Sequence, residues 1–267
     1  MNLLIKSPGQ APGIYPVARR GLELKYLSFN IVRLGAGFQI CTFQTGEEEI
    51  AIHSYDGPVG IRARGSWGEW RSELPRRGSL PESTPMAYIP AGSEVVLSAA
   101  EGAAHLTVAG ALGQRGVEPA IAPGLPKQAG RDNWERTVYT HIGDNLPARH
   151  LICGETATQP GGWASCPPHK HDRFRAPAEV PMEEIYYFQF EPGQGFGFIR
   201  VYTDADDPAA FDVSYAVEHG DTVLIPRGYH PVAACPGYRL VYAWFMAGEA
   251  RVYGAWSDDP RHSWIKQ

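Results

Sequence analysis

Short runs of alternating apolar and polar residues dominate the chain, and most of them end at glycine or proline. The clearest alternation covers residues 184–190, where one face carries Glu184, Tyr186, Phe188 and Phe190. A period of two is typical of β-strands. Further strands are predicted over residues 196–202, 222–225 and 240–246. Because strong helix signals are missing from the sequence, it predicts an all-β fold.

The strand-and-turn pattern occurs twice, at an offset of 135 to 136 positions. Residues 48–52 resemble residues 183–187, and residues 86–95 resemble residues 222–231. Internal similarity at a fixed offset predicts two copies of one β-unit. In this alignment Glu49 matches Glu184, but Glu94 stands in place of His230 and no His-x-His pair precedes Glu49. We therefore expect the first copy to lack a metal and to serve as scaffold or dimer surface.

A segment rich in proline and glycine, roughly residues 111–146, separates the two copies. Its composition is typical of an irregular linker at the surface. We therefore divide the chain into an N-terminal β-barrel over residues 1–115, a linker and pairing strand over residues 116–150, and a C-terminal β-barrel with a metal site over residues 151–267.

Composition and charge limit the kinds of partner and the cellular compartment that we expect for the protein. The 267 residues carry a formal net charge of −5 without a Lys/Arg-rich block, which argues against nucleic acid or an anionic membrane as partner. The N-terminal apolar stretch is too short for a signal peptide, and no run approaches a membrane span. The four cysteines form no Cys-x-x-Cys pair and indicate reduced thiols. We expect a cytoplasmic protein.

Three histidines and one glutamate stand where such a fold can bring them together. His169 and His171 are separated by one residue, so an extended segment projects both imidazoles to the same side. Glu184 leads a predicted strand, and His230 follows a Pro-x-Gly turn at a strand end. Such a ligand set suits Zn²⁺, Mn²⁺, Fe²⁺ or Ni²⁺ without choosing among them. The sequence therefore predicts one divalent metal ion bound by these four residues.

Twelve residues separate His171 from Glu184, and this insert is predicted to loop out over the mouth of the site. It is either a lid over the substrate or an inert surface loop. Because Glu183 and Glu184 face opposite sides of one strand, only one of them can bind the metal, and we choose Glu184. Lys170 is predicted to point away from the two imidazoles beside it.

Several motifs of the second copy resemble the 5-deoxyglucuronate isomerases of myo-inositol catabolism. These are bicupin proteins, grouped with the 4-deoxy-5-threo-hexosulose-uronate ketol-isomerases of pectin breakdown. The resemblance is dense from residue 151 to residue 265 and thin before it. It implies two double-stranded β-helix (jelly-roll) barrels that arose by internal duplication. The motifs are PPHKHD (167–172), EEIYYF (183–188), GFIRVYT (197–203), GYHPVAA (228–234) and MAG (246–248).

This resemblance implies aldose–ketose isomerisation of 5-deoxy-D-glucuronate to 2-deoxy-5-keto-D-gluconate, with zinc as the first choice of metal. A divalent ion stabilises the negative charge that develops on oxygen when the proton next to an aldehyde leaves. A side chain must then move the proton between C2 and C1. The candidates for that role are Glu183 or Glu184 together with Tyr242.

Three further residues are candidates for binding the substrate, a small sugar acid. Arg200 lies on a strand beside the site, and its guanidinium suits bidentate binding of a carboxylate. Lys170 and Tyr229 flank the predicted ligands. The wide β faces of bicupins lead us to expect a homo-oligomer.

Two other functions stay open on the sequence. Three histidines and one glutamate also hold Fe²⁺ in cupin dioxygenases, so an oxygen-dependent enzyme is one alternative. A sugar-binding bicupin, in which the metal only braces the barrel, is the other. The segment around Trp244 departs from the family pattern, which leaves a different sugar acid open as substrate.

Overall fold

The structure is a computed structural model, and it describes residues 2–75 and 83–267. Strands dominate it, which confirms the predicted all-β class, and two 3₁₀ turns cover Asp132–Trp134 and Ser263–Lys266. Within the described residues, no helix has the length and apolar character needed to cross a membrane.

Twenty-three strands follow one another along the described chain. They are β1 (Leu4–Ile5), β2 (Gly13–Ala18), β3 (Leu27–Leu34), β4 (Ile40–Gln44), β5 (Glu48–Asp56), β6 (Val59–Gly65), β7 (Gly68–Leu74), β8 (Met86–Ile89), β9 (Glu94–Ala99), β10 (Ala104–Leu112), β11 (Ala120–Ala122), β12 (Leu125–Ala129), β13 (Arg136–Ile142), β14 (Ile152–Thr158), β15 (Trp163–Ala164), β16 (His169–Lys170), β17 (Glu183–Glu191), β18 (Phe196–Tyr202), β19 (Asp212–Glu218), β20 (Thr222–Ile225), β21 (Val232–Ala234), β22 (Arg239–Ala247) and β23 (Ser257–Asp258).

The chain forms two compact units whose limits differ from the predicted division. One unit, the ligand unit, contains the predicted metal ligands and comprises Met1–Ser7, Pro126–Tyr139 and Glu155–Gln267. The other, the scaffold unit, comprises Pro8–Leu125 and Thr140–Gly154. The N-terminal strand β1 belongs to the ligand unit because it pairs with β20, where it covers what is otherwise a sheet edge.

Strands distant in sequence are neighbours in the ligand unit. Its largest sheet has the order β1-β20-β17-β22-β14-β13-β12, and a second sheet has the order β15-β21-β18-β19. A separate pair, β16 with β23, holds the segment of the His-x-His motif. Strand β17 lies between β20 and β22 and is antiparallel to both. This order places the beginning of β17, with Glu184, next to the end of β20.

The scaffold unit repeats the two-sheet plan around an apolar core. Its sheets have the orders β11-β8-β5-β10-β3-β2 and β4-β9-β6-β7. Buried side chains from both sheets form one cluster, which includes Val32, Ile50, Ile52, Ile61 and Leu97. Alternating positions of each strand supply this cluster, as the period of the sequence predicts.

Cross-strand pairing corrects the alignment of Glu49 with Glu184. In the ligand unit Glu184 pairs with Ile225, and in the scaffold unit the equivalent Ile89 pairs with Ile50. Ile50 therefore takes the place of Glu184, and it lies in the apolar core. A shift of one residue reverses the faces of a strand, so the similar acidic pairs of the two copies misled the sequence alignment.

Glu49, on the other face of β5, binds the backbone of a distant segment of the same unit. Its carboxylate is fully buried. It accepts hydrogen bonds from the backbone N–H groups of Arg149, His150 and Leu151 at 2.8, 2.7 and 2.9 Å, and from the Tyr88 hydroxyl at 3.0 Å. Four donors satisfy a buried charge that would otherwise be costly, and they fix this part of the predicted linker to the sheet.

Replacing Glu49 by glutamine puts an amide N–H₂ among four hydrogen-bond donors. We expect E49Q to lower the free energy of unfolding by about 3 kcal/mol in denaturant titration, because buried donors lose their acceptor. The matched control is E47Q, at an exposed neighbouring carboxylate, which should change stability by less than about 0.5 kcal/mol. Equal stabilities of the two variants would contradict the structural role of Glu49.

Candidate metal centre

Three of the four predicted ligands come together in the interior of the ligand unit. The Nε2 atom of His171 lies 3.1 Å from Oε2 of Glu184, and Nε2 of His230 lies 3.2 Å from the same oxygen. All three side chains are buried, and one ligand atom from each lies within 4.8 Å of the others. The set contains the imidazole and carboxylate groups that first-row divalent metals prefer.

Backbone carbonyls fix the orientation of both buried imidazoles. Nδ1 of His171 donates to the carbonyl of Met182 at 2.8 Å, and Nδ1 of His230 donates to the carbonyl of Gly228 at 2.8 Å. Because each Nδ1 donates to a carbonyl, Nε2 is the ring nitrogen that faces Glu184, and it is the atom that can bind a metal. Protein metal sites use the same arrangement to orient histidine ligands.

The electrostatics of this cluster favour a cation. Burial opposes the ionised form of Glu184, yet the adjacent imidazoles of His171 and His230 lower its pKa to about 2. Burial likewise opposes the charged form of His171, and the hydrogen bond and charge of Glu184 outweigh it, so the pKa of His171 is raised. Nε2 of His230 is fully buried and lacks an aligned hydrogen-bond partner among the described residues. A divalent ion bound to all three groups would satisfy that nitrogen and balance the carboxylate.

His169, the fourth predicted ligand, lies at the edge of this cluster. Its ring centroid is 4.8 Å from that of His230 and 6.4 Å from that of His171, and the compact set of three does not include it. Burial and the neighbouring imidazoles of His230 and His171 lower its pKa well below the usual value, which keeps the ring neutral. The ring of Trp256 packs against it, with centroids 5.3 Å apart.

The C-terminal segment anchors the strand that carries His169. Strand β23 pairs with β16, so that His169 lies opposite Asp258. The next residue, Asp259, is buried, and its backbone N–H donates to the Pro168 carbonyl at 2.8 Å. Burial opposes its ionisation, but hydrogen bonds from Arg261 and from the Tyr202 hydroxyl lower the pKa of Asp259 to about 2. It therefore stays ionised near neutral pH and holds this segment in place.

The insert between His171 and Glu184 is closed by internal hydrogen bonds and helps to orient a proposed metal ligand. The buried carboxylate of Glu179 accepts hydrogen bonds from the backbone N–H groups of Asp172 and Arg173 at 2.9 and 2.8 Å, which closes the loop on itself. At its far end, the Met182 carbonyl orients the ring of His171. Neither sequence-based interpretation, lid or inert loop, included this positioning of a ligand.

Lys170 and Tyr229 belong to a buried ionic network on the other side of the His-x-His segment. The Lys170 side chain is only 3% exposed, and its ammonium group donates to Asp172 at 2.8 Å and to Asp204 at 2.7 Å. The Tyr229 hydroxyl donates to Asp204 at 2.9 Å, and the Gly228 N–H donates to Asp172 at 2.9 Å. Lys170 points away from the imidazoles as predicted, but it is buried and paired, so we no longer assign substrate binding to Lys170 or Tyr229.

Two other predicted site residues face away from the group formed by His171, Glu184 and His230. Arg200 lies on the exposed face of β18, where it forms a bidentate ion pair with Asp212 of the neighbouring strand β19. Its suggested role in binding the substrate carboxylate therefore has no support in the structure. Glu183 precedes Glu184 in β17 and occupies the opposite face of that strand, so it does not reach the cluster as a catalytic group.

Tyr242 does lie beside the cluster, together with two residues that the sequence analysis did not propose for the site. Its ring packs against Tyr186 with centroids 4.4 Å apart, and Tyr186 lies 5.6 Å from the ring of His230. The hydroxyl of Ser165 contacts both tyrosine hydroxyls. The alternation of β17 could indicate that Tyr186 faces inward, whereas the position of Ser165 depends on packing between distant segments.

Arg136, at the start of β13, is a cation that the sequence analysis also missed. Burial is the main cause of the pKa shifts of Tyr242, which is raised, and of His169, which is lowered. The positive charge of Arg136 makes a smaller contribution that lowers the pKa of both residues. It donates to the Trp134 carbonyl at 3.1 Å and lies over the Trp134 ring. Across the described ranges 2–75 and 83–267, no carboxylate pairs with it.

Solved structures support the fold. The crystal structure of an IolB-like protein from Salmonella typhimurium LT2 matches with a TM-score of 0.87 and 29% identity, covering 100% of both chains. An oxalate decarboxylase from Lactobacillus farciminis matches with a TM-score of 0.66 and 12% identity, covering 97% of this chain and 88% of its own. The second likeness shows the fold alone, and the two together confirm the predicted cupin-type fold.

Sequence comparisons identify the family. The KduI/IolB family model matches residues 3–265. The 5-deoxy-glucuronate isomerase of Geobacillus kaustophilus is 32% identical over 98% of this chain and 93% of its own length. The enzyme of the same name from Lacticaseibacillus casei is 44% identical over 51% of this chain and 49% of its own. The chain therefore belongs to the KduI/IolB family and is an isomerase.

Proposed function

We propose that this isomerase is metal-dependent and converts 5-deoxy-D-glucuronate to 2-deoxy-5-keto-D-gluconate in inositol catabolism. The observation that carries the metal dependence is the convergence of two oriented imidazole nitrogens on the buried carboxylate of Glu184. The substrate rests on the names of the relatives, which are 5-deoxy-glucuronate isomerases. The cytoplasmic location and the homo-oligomeric state stay predictions.

His171, Glu184 and His230 would hold the ion, with His169 beside them. A divalent metal supplies positive charge for the substrate oxygen that becomes negative during proton transfer. The donor set of nitrogen and carboxylate oxygen fits Zn²⁺, our first choice, and also Mn²⁺, Fe²⁺ or Ni²⁺. Since Glu184 is committed to this set, we do not assign it the role of base.

The chain's own residues divide the remaining tasks. Tyr242 faces the centre with a buried hydroxyl, and we keep it as a proton carrier. Arg136 replaces Arg200 as the group that binds the substrate carboxylate, because its charge reaches the site and is not paired with a carboxylate of the described chain. An arginine in a water-poor site discriminates strongly between an acid and a neutral sugar.

The direct test of this function is NMR of the purified protein with 5-deoxy-D-glucuronate and a panel of other uronates and deoxyaldoses. We expect the aldehyde signal of 5-deoxy-D-glucuronate to disappear as that of a ketose product grows, without oxygen uptake. Turnover of another sugar acid, with 5-deoxy-D-glucuronate unchanged, would refute the substrate. Oxygen consumption together with an iron requirement would identify a dioxygenase instead.

The metal assignment predicts different results for two neighbouring glutamates. Elemental analysis should find about one divalent ion per chain in the wild type and in E183Q, whose substitution lies on the face of β17 away from the cluster. E184Q should bind the ion at least about ten-fold more weakly, because the metal loses its only anionic ligand. Loss of metal from both variants alike, or from neither, would contradict the assigned ligand set.

The role of Arg136 is testable with Arg200 as the matched control. We expect R136M to lower kcat/KM for the sugar acid by about 100-fold, because a partly buried charge partner of the carboxylate is lost. The loss should be much smaller for a neutral aldose analogue. R200M, which breaks a surface ion pair with Asp212, should stay within about three-fold of the wild type. Similar losses for acid and neutral sugars would argue against carboxylate binding by Arg136.

A further inference from the structure

Ser165 adopts a backbone conformation that residues other than glycine rarely adopt. Its φ angle is 49°, and Asp132 is the other described non-glycine residue with a positive φ. Ser165 is nevertheless buried, with 3% of its surface exposed. Strained residues persist where the surrounding structure holds them, and they cluster at functional sites. A glycine would adopt this angle without strain, so the presence of serine points to a use for its hydroxyl.

The Ser165 hydroxyl contacts the hydroxyls of two tyrosines that lie beside the proposed metal ligands. Ser165 Oγ lies 2.8 Å from the Tyr186 hydroxyl and makes a longer contact of 3.4 Å with the Tyr242 hydroxyl. All three residues are buried, and the Tyr186 ring lies 5.6 Å from that of His230. The three hydroxyls therefore form a connected group beside the proposed metal ligands.

The number of protons in this group makes it suited to proton transfer. Each hydroxyl donates one hydrogen bond and can accept two. Three hydroxyls joined in a row by two hydrogen bonds keep one proton that the row itself does not use. Reversing the direction of both bonds moves that spare donor from one end of the row to the other. Ser165 is the central member, and its removal separates Tyr186 from Tyr242.

We propose that Ser165 is a positioning residue that holds the Tyr186 and Tyr242 hydroxyls as a relay for the substrate's hydroxyl proton. This inference rests on the proposed function, and it adds the residue that organises proton transfer. In the conversion of an aldose to a ketose, C2 loses a proton and C1 gains one, while O2 loses its hydroxyl proton and O1 gains one. The composition does not change, and neither oxidant nor reductant is consumed. The relay accepts the proton of O2 and returns one to O1.

The experiment compares the wild type with S165A and S165G, all loaded with metal to the same measured content. Both variants should lower kcat at least about 30-fold, with KM changed less than about three-fold, because the relay is broken while binding is kept. The melting temperature of S165G should stay within about two degrees of the wild type or exceed it, since glycine relieves the positive φ. The affinity for the ketose product, measured by calorimetry, should be nearly unchanged in both variants.

Glycine separates the proposed role from a purely structural one. If Ser165 only shapes the turn, S165G restores wild-type kcat, and the proposal is wrong. A kcat within three-fold of the wild type in S165A also overturns it, as does a loss that appears in KM and product affinity rather than in kcat. Y242F provides a coupling test: combined with S165A, it should add little to the loss of either single variant, because both break one relay.

Failure of the proposed function can be recognised separately. A wrong substrate shows in the wild type, which then leaves 5-deoxy-D-glucuronate unchanged. The Ser165 comparison is in that case made on whichever sugar acid of the panel the wild type isomerises, and the ratio of variant to wild-type kcat decides it.

Discussion

One oxygen atom organises the ligand unit: Oε2 of Glu184 lies 3.1 Å from the Nε2 atom of His171 and 3.2 Å from that of His230. A buried carboxylate is costly unless charge and hydrogen bonds compensate it. The surrounding chain meets this constraint by fixing both imidazoles from behind through the carbonyls of Met182 and Gly228. The order of the strands places the beginning of β17 beside the end of β20. In the C-terminal segment, strand β23 pairs with β16, which carries His169. The fold therefore determines the position of the carboxylate and the two imidazoles that we propose as metal ligands.

The two units show how a duplicated fold separates support from chemistry. Both have a central strand that pairs with the strand leading into a Pro-x-Gly turn. In the scaffold unit the inward position holds Ile50, and the neighbouring carboxylate of Glu49 faces the other way and binds backbone N–H groups. In the ligand unit the inward position holds Glu184. A difference of one residue in register thus decides whether an acidic side chain stabilises the fold or serves the site.

Alternation was sufficient to predict the strands of the second copy, because it follows from the period of an extended chain. Three of the four proposed ligands, His171, Glu184 and His230, lie together, and His169 lies at the edge of this set. Partners across strands were not predictable. Arg200 was proposed for substrate binding because the sequence does not show that β19 places Asp212 within hydrogen-bonding distance of it. Lys170 was proposed for substrate binding because its two carboxylate partners, 2 and 34 positions away, are not evident from the sequence. Arg136 and Ser165 were not proposed for the site, because only long-range packing brings them to it.

The central claim is that the chain binds a divalent cation between His171, Glu184 and His230. Anomalous X-ray diffraction from crystals of the metal-loaded protein, recorded above and below the absorption edge of the metal, tests it most directly. We expect one strong peak about 2.0–2.2 Å from both Nε2 atoms and the carboxylate oxygen. A peak elsewhere, for instance at Cys166, or no ordered peak in a crystal of loaded protein, would contradict the account.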